Sequence, residues 1–208
     1  MIYSAIIGDI ADSRKYAERK AIQEQFRHMI DKGNQIFADD IAANFALTLG
    51  DEFEVLLSNV SVSLKIVEFA RKQMRPYELV VGIGIGEIST DIHPSFVSLA
   101  DGPAFHRARE AVKQAKKSRS GTLLKADYAG TGLINSLAFF IESCEKKMTD
   151  NQFRVVALME EFNNQKKVAE KLNVTQSTVS KALAAASYYE ILMARTEIEK
   201  YLKNEFPV

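Results

Sequence analysis

The sequence predicts an α+β region over residues 1–130, followed by an all-α region over residues 131–208. In the first region, short runs of apolar and β-branched residues alternate with stretches that have helical spacing. In the second region only the helical spacing remains. The two regions are interpreted as two domains, a number that a chain of 208 residues can accommodate.

The predicted elements of the first region follow the order β-α-β-β-α-β-α-β. A buried strand over 2–7 precedes an amphipathic helix whose apolar positions run from Ile22 to Phe37. Two β-rich runs then flank the pair Gly50-Asp51, which indicates a hairpin. The later elements are a helix over 60–74, a strand over 79–88, a helix from Asp101 to residue 117, and a strand over 121–126.

The first six elements match the ferredoxin-like plan, in which a split βαβ unit forms an antiparallel sheet with helices on one face. In that plan the third strand lies between the first two. The end of the first strand therefore lies beside the tip of the hairpin, and we expect Asp9 to face Asp51.

Two carboxylates that converge from separate strands suit a hard cation such as Mg²⁺, which one or two carboxylates hold together with substrate phosphates. The sequence therefore predicts a Mg²⁺ site at Asp9 and Asp51; the alternative is that each Gly-Asp pair only forms a turn. The turn after Asp9 presents the backbone N–H groups of Ile10, Ala11 and Asp12 at a predicted helix start, where anionic oxygens bind.

Charge is distributed unevenly along the chain. The 27 basic and 27 acidic residues give no net charge, which excludes a nucleic-acid binder of the uniformly basic kind. Residues 101–127, which include the helix that starts near Asp101, nevertheless carry seven basic and three acidic side chains. A basic stripe along this helix predicts either a polyphosphate or nucleic-acid contact or a solvated face; it comprises His106, Arg109, Lys113 and Lys117, with Arg107, Lys116 and Arg119 nearby.

A glycine-rich strand precedes this helix. Gly82, Gly84 and Gly86 share one face of the strand, which permits close approach of a helix or of a flat ligand. Helix packing is the favoured interpretation. The motif lies within a strand and does not open a helix, so it is not a dinucleotide-binding fingerprint.

The single cysteine, Cys144, excludes an intrachain disulfide and suits a reducing compartment. The apolar run at the start is too short to span a bilayer and meets Asp9 before any cleavage site. We therefore expect a cytoplasmic protein that does not enter a membrane.

Four motifs, IIGDIADSRK, LTLGDEFEVLL, VVGIGIGEIST and DGPAFHRAREA, together resemble the SatD family of bacterial proteins over roughly residues 2–185. The first half is more distantly similar to class III nucleotide cyclases and to the palm domains of GGDEF diguanylate cyclases. These resemblances imply metal binding by Asp9 and Asp51. They also imply that a nucleotide's phosphates contact the turn from Ile10 through Ser13 to Arg14. The basic stripe of the later helix supplies further candidate phosphate contacts, His106, Arg109 and Lys113.

The chain also departs from the cyclase pattern. Leu47 replaces a base-selecting lysine, and His106 falls on the asparagine that stabilises the transition state. Further departures fall at Leu49, Leu99 and Glu110. The comparison therefore favours nucleotide and Mg²⁺ binding without catalysis; the alternative is a nucleotidyl cyclase or other phosphoryl-transfer enzyme that uses Asp9, Asp51, His106 and Arg109.

The second region predicts helices over 132–147, 149–162 and 164–172, and from 175 to residue 203. Residues 165–183 resemble a helix-turn-helix, with Asn173 in the tight turn and Val174 filling the corner. The side chains that would meet DNA start the recognition helix: Thr175, Gln176, Ser177, Thr178, Ser180 and Lys181. The alternative is a helical hairpin for protein contact.

The sequence thus predicts a DNA-binding transcriptional regulator whose first domain senses a nucleotide with Mg²⁺. The helix over 133–144 and the C-terminal helix, whose apolar seam includes Tyr188 and Leu202, each suit either a homodimer interface or packing against the first domain.

Overall fold

The computed structural model describes residues 1–16, 18–48, 51–118 and 120–207, without the Arg14 side chain. Its strands are β1 (Tyr3–Ile10), β2 (Ile41–Leu47), β3 (Glu52–Leu57), β4 (Leu79–Gly86) and β5 (Thr122–Lys125). Its α-helices are α1 (Arg19–Ile36), α2 (Ser63–Met74), α3 (Pro103–Ser118), α4 (Thr131–Glu145), α5 (Asp150–Phe162), α6 (Gln165–Leu172), α7 (Gln176–Ala185) and α8 (Tyr188–Glu205). The predicted α+β class is confirmed.

The five strands form one mixed sheet in the order β2-β3-β1-β4-β5. β1 is antiparallel to both β3 and β4, and β2 is antiparallel to β3. β5 is parallel to β4. The first four strands pair antiparallel, as in the plan predicted for the first six elements. The predicted antiparallel sheet is nevertheless mixed, because α3 crosses over the sheet and returns the chain in the direction of β4.

Helices cover both faces of β1, which explains why its side chains are almost all buried. On one face, the Phe26 ring of α1 lies 6.3 Å from the Phe53 ring of β3, and the Ser63 hydroxyl of α2 donates to the Ser4 hydroxyl at 2.8 Å. The alternate residues Ala5 and Ile7 pack on the other face in a cluster with α3. Residues of β1 with odd numbers therefore point toward α3.

α3 lies directly on the glycine face of β4. A Cβ atom added to Gly84 would lie 2.0 Å from the Ala104 carbonyl oxygen, and one added to Gly82 would lie 2.3 Å from that of Ala108. Only glycine permits this approach, because a contact below 3.0 Å with backbone leaves no room for a side chain. This is the helix packing that the sequence favoured.

Contacts divide the chain into two compact units. The first unit comprises Met1–Ala138 and Ile198–Val208, and the second comprises Phe139–Glu197. The sequence-based domain boundary lies between residues 130 and 131. In the first unit, the ring of Tyr128 lies 5.7 Å from that of Tyr201 and 5.5 Å from that of Phe206, so residues after 198 pack with those that follow β5.

The second unit contains a three-helix cluster formed by α5, α6 and α7. The single helix predicted from 175 to 203 is wrong, because Ser187 has a positive φ of 51° and separates α7 from α8. Ala186 and Tyr188 are both buried in the cluster, and a continuous helix would not turn both inward. Among the described helices, none is both long and apolar enough to cross a bilayer.

Candidate functional site

The end of β1 brings an aspartate to the hairpin between β2 and β3. Asp9 lies opposite Glu52 in the β1–β3 register, and the backbone N–H of Ile10 donates to the carbonyl of Asp51 at 3.3 Å. Asp51 thus lies beside the end of β1, but the residue that faces Asp9 is Glu52, so the expectation that Asp9 faces Asp51 is wrong by one residue. Residues 49 and 50 of the predicted hairpin tip lie outside the described residues.

Five charged residues meet on the α3 side of the sheet, and we call them the charged cluster: Asp9, Glu52, Glu54, Arg109 and Lys116. Strand alternation places the three carboxylates on this side, since each faces an odd-numbered residue of β1 or is one itself. The Lys116 ammonium forms an ion pair with Asp9. Arg109 Nη2 donates to Glu54 Oε1 at 2.8 Å.

The carboxylates of the two ion pairs are more deeply buried than their cations. The side chain of Glu54 is 3% exposed against 55% for Arg109, and that of Asp9 is 14% exposed against 46% for Lys116. Burial raises the pKa of Glu54, and the nearby Arg109 charge opposes that rise. The cluster therefore holds carboxylates at the sheet and half-exposed cations that solvent and ligands can reach.

Glu52 completes the cluster. Burial raises the pKa of Glu52, while a hydrogen bond from the Thr48 hydroxyl to Oε1 at 3.2 Å opposes the rise. The charge of Asp9 raises the pKa of Glu52 further, and the charges of Arg109 and Lys116 lower it. Desolvation and a neighbouring carboxylate both favour the protonated form of this side chain.

The turn after β1 differs from the predicted anion-binding helix start. The N–H groups of Ile10 and Ala11 are used in backbone hydrogen bonds, the latter to the Glu78 carbonyl at 2.8 Å. Asp12 has a positive φ of 51°, and only a three-residue 3-10 helix, Ser13–Lys15, follows it. The expectation that the N–H groups of Ile10 and Ala11 are free for phosphate is therefore wrong. The predicted contact through the Arg14 side chain lies outside the described atoms.

The other predicted phosphate contacts lie along α3. His106 Nε2 lies 3.1 Å from Asp101 Oδ1, and both side chains are exposed. Lys113 is exposed as well. Arg109 is directed to Glu54, so the structure brings one predicted phosphate contact, Arg109, into the charged cluster and does not bring His106 into it.

Three members of the charged cluster were not predicted as site residues. Glu52 and Glu54 alternate along a strand, a pattern that places both on one face beside Asp9. Lys116 lies seven residues, or about two helical turns, after Arg109 and so shares its side of α3. Both spacings were visible in the sequence.

The donor set at Asp9 suits a hard cation. Within the described ranges, no three His, Cys, Asp or Glu side chains form a group able to hold a metal ion by themselves. Mg²⁺ does not require such a cage, since one or two carboxylates with water and substrate phosphates suffice. In the structure the Lys116 ammonium supplies the positive charge at Asp9.

A second candidate site lies on α7, in the second unit. Asn173 ends α6 with a positive φ of 52°, and the Val174 N–H donates to the Ala169 carbonyl at 3.0 Å. The Thr175 hydroxyl caps α7 by accepting from the Thr178 N–H at 3.1 Å. Val179 and Leu183 are buried on the inner side of α7.

The polar residues predicted to meet DNA all lie on the exposed side of this helix start: Thr175, Gln176, Ser177, Thr178, Ser180 and Lys181. Val174, by contrast, is 42% exposed, so the prediction that it fills the corner is wrong. The Val174 N–H holds this residue in the tight turn by its bond to the Ala169 carbonyl, and the cluster buries Val168 and Ala169 instead.

The four sequence motifs can now be compared with known proteins. The family model of the SatD family matches residues 3–202. The chain belongs to the SatD family. This match confirms the family resemblance of the sequence and covers both units of this SatD protein.

Among solved structures, the SatD protein is similar to the regulator of polyketide synthase expression from Bifidobacterium adolescentis. The two share 13% sequence identity with a TM-score of 0.29, and the similarity covers 97% of this chain and 86% of that chain. No curated protein matches the chain at a significant level.

Proposed function

We propose that this SatD protein is a cytoplasmic, DNA-binding transcriptional regulator whose first unit senses a nucleotide together with Mg²⁺. The observation that carries the proposal is the exposed polar start of α7, which follows a tight turn on a buried three-helix cluster. We interpret α6 and α7 as a helix-turn-helix with α7 as the recognition helix.

The geometry of the turn supports this interpretation. A helix-turn-helix needs a residue in a left-handed conformation between its helices, which Asn173 supplies. It also needs a recognition helix that is anchored on its inner side, as Val179 and Leu183 anchor α7. Gln176 and Ser177 then lie in the first turn, where side chains reach base edges, and Lys181 lies one turn later.

Nucleotide sensing is supported by the first unit. The strand order β2-β3-β1-β4 and its antiparallel pairings fit the ferredoxin-like, cyclase-like plan inferred from the sequence. We assign Asp9 and Asp51 to Mg²⁺, with Lys113 and the Asp12–Arg14 turn toward the phosphates. When bound, Mg²⁺ would neutralise phosphate charge next to these two carboxylates.

Existing contacts favour binding over phosphoryl transfer at this site. His106 is paired with Asp101, and Arg109 donates to the buried Glu54 carboxylate. A donor that stabilises a transition state must be directed at the reacting phosphate, and both of these are directed elsewhere. The cyclase alternative therefore requires both side chains to change partners.

A homodimer is the expected form on DNA, because helix-turn-helix proteins commonly bind paired half-sites. Exposed apolar side chains on α4 and α8 suit such an interface; they are Leu133, Phe139, Phe140, Tyr189, Leu192 and Met193. Light scattering of the full chain in the presence and absence of DNA tests the oligomeric state.

The DNA-binding proposal is tested on the full chain with a site recovered by selection from random DNA. Gln176→Ala should reduce discrimination between that site and random DNA by about 1–3 kcal/mol. Lys181→Ala should weaken both kinds of DNA alike and lower the salt slope by about one. The control for Lys181→Ala is Lys147→Ala, an equal charge change at another exposed position of the second unit. The control for Gln176→Ala is Gln35→Ala, at an exposed position of α1.

Two outcomes would contradict the DNA-binding proposal. The first is a full chain that shows no affinity for any DNA at low salt. The second is that Lys147→Ala weakens binding as much as Lys181→Ala, which would mean that α7 has no special role in meeting phosphates.

A further inference from the structure

The Asp9–Lys116 ion pair places a positive charge on the carboxylate that the proposed function assigns to a metal ion. We propose that Lys116 is a tethered cation that keeps divalent metal ions off Asp9 until the phosphates of a ligand draw its ammonium away. This inference rests on the proposed nucleotide function and names how that ligand is admitted.

Burial makes the competition between Lys116 and a metal ion direct. The Asp9 side chain is only 14% exposed, and its carboxylate already pairs with the Lys116 ammonium. A metal ion that approaches Asp9 must displace this ammonium or bind close to it. Two cations at one carboxylate repel each other, and the repulsion grows as water is excluded.

The two cations of the cluster differ in how readily they can move. Arg109 pairs its planar guanidinium with Glu54, whose side chain is 3% exposed. If Arg109 moved away, the buried Glu54 carboxylate would remain without a cation. Lys116 carries a single point charge on a flexible four-carbon stem near the end of α3, and its side chain is 46% exposed. Lys116 is therefore the cation that can transfer to a ligand.

Transfer of Lys116 determines which ligand the site accepts. A metal ion alone would leave the ammonium without its carboxylate, and a phosphate alone would leave Asp9 without a cation. A metal–phosphate complex satisfies both groups at once, since the metal ion takes Asp9 and the phosphate takes Lys116. The site thus binds the metal–nucleotide complex in preference to either component.

The test measures Mn²⁺ binding to the nucleotide-free full chain by electron paramagnetic resonance. Lys116→Met should bind Mn²⁺ about tenfold more tightly than the parent, because it removes a charge held against Asp9. The matched control is Lys117→Met, the same charge change at the next exposed residue of α3, about 100° around the helix. Its affinity should change by less than about threefold, since the lost charge is more distant and screened.

The proposal is overturned if Lys116→Met binds Mn²⁺ no more tightly than Lys117→Met does. Circular dichroism checks that each variant is folded, and Lys116→Gln is a second variant with the same expected gain. Adding Asp9→Asn to Lys116→Met should remove the gain, and a gain that survives this change also overturns the proposal.

Failure of the nucleotide function is distinguished by measuring ATP and GTP binding with Mg²⁺ in the same variants. Tighter Mn²⁺ binding in Lys116→Met with no nucleotide binding in any variant supports the tethered cation and removes the nucleotide function. Mg²⁺-dependent nucleotide binding with unchanged Mn²⁺ affinity in Lys116→Met supports the nucleotide function and overturns the role of Lys116 as a tethered cation.

Discussion

Arg109→Ala should destabilise the first unit, because it leaves the buried Glu54 carboxylate without its cation. Removing one partner of a fully buried ion pair costs about 3–5 kcal/mol. Glu54 is 3% exposed but Arg109 is 55% exposed, so water already weakens this pair and can approach the carboxylate once the guanidinium is gone. We therefore expect a loss of about 1–3 kcal/mol in the free energy of unfolding.

The loss should depend on pH in a defined direction. Burial raises the pKa of Glu54 above its ordinary value of 4.5, and Arg109 opposes the rise. A carboxyl with a raised folded-state pKa contributes stability that is complete below its unfolded pKa and is lost as the pH rises through the folded pKa. Because Arg109→Ala removes the opposing charge, it should destabilise more at about pH 8 than at about pH 5.

Urea unfolding followed by circular dichroism, with hydrogen exchange at β1 and β3, measures these losses. In a double-mutant cycle, Arg109→Ala should cost little in a Glu54→Gln background, since no buried charge remains. The control is Glu110→Ala, on the same helix as Arg109, which breaks a surface ion pair with Lys125 of β5 and should cost less than about 1 kcal/mol. An Arg109→Ala loss that is equal in both backgrounds and at both pH values would refute the role of the ion pair.

Three further predictions follow from the first unit. Gly84→Ala should destabilise this unit by about 3 kcal/mol or more in urea unfolding, because the new methyl group would meet the main chain of α3. The control is Gly132→Ala, which should change stability by less than about 1 kcal/mol because nothing lies within 4 Å of the added methyl group. Equal effects of the two substitutions would contradict the packing of α3 on β4. Asp51→Asn should weaken the Mg²⁺ dependence of nucleotide binding in calorimetry, and an unchanged dependence would exclude Asp51 as a ligand. Incubation with ATP or GTP and Mg²⁺ or Mn²⁺ should give no cyclic nucleotide by chromatography, since Leu47 and His106 replace a base-selecting lysine and a transition-state donor. A cyclic product whose formation depends on Asp9 would favour the alternative function as a nucleotidyl cyclase.

Much of the first unit was predictable because its signals are local. Alternation and turn residues placed the strands, and the assumed strand order brought the end of β1 to the hairpin between β2 and β3, although Glu52 and not Asp51 faces Asp9. The strand over 121–126 was predicted, but its parallel direction was not, since the direction of a strand after a crossover depends on where α3 packs. The three bare glycines of β4 indicated a helix on that face but not the direction in which its charged side chains point.

The charged cluster shows where local signals end. The seven-residue spacing places Lys116 on the same side of α3 as Arg109, but it does not show that this side meets Asp9, which lies 107 residues earlier in the chain. Glu54 presents the same difficulty, because a carboxylate in a strand is usually exposed and its partner Arg109 lies on an element far along the chain. Such pairings come from tertiary packing. In the second unit, the turn at Asn173 was predicted from residue type, whereas the break at Ser187 was not, since serine rarely adopts a positive φ.

The first unit includes residues from 198 onward, which the chain supplies only after the whole of the second unit. During synthesis, domains generally fold in the order in which they leave the ribosome. Here the earlier unit cannot acquire the contacts of Tyr128 with Tyr201 and Phe206 until translation has passed residue 206. The same connectivity means that a nonsense mutation anywhere in 139–197 removes part of both units, so a truncated product would not preserve an intact first unit.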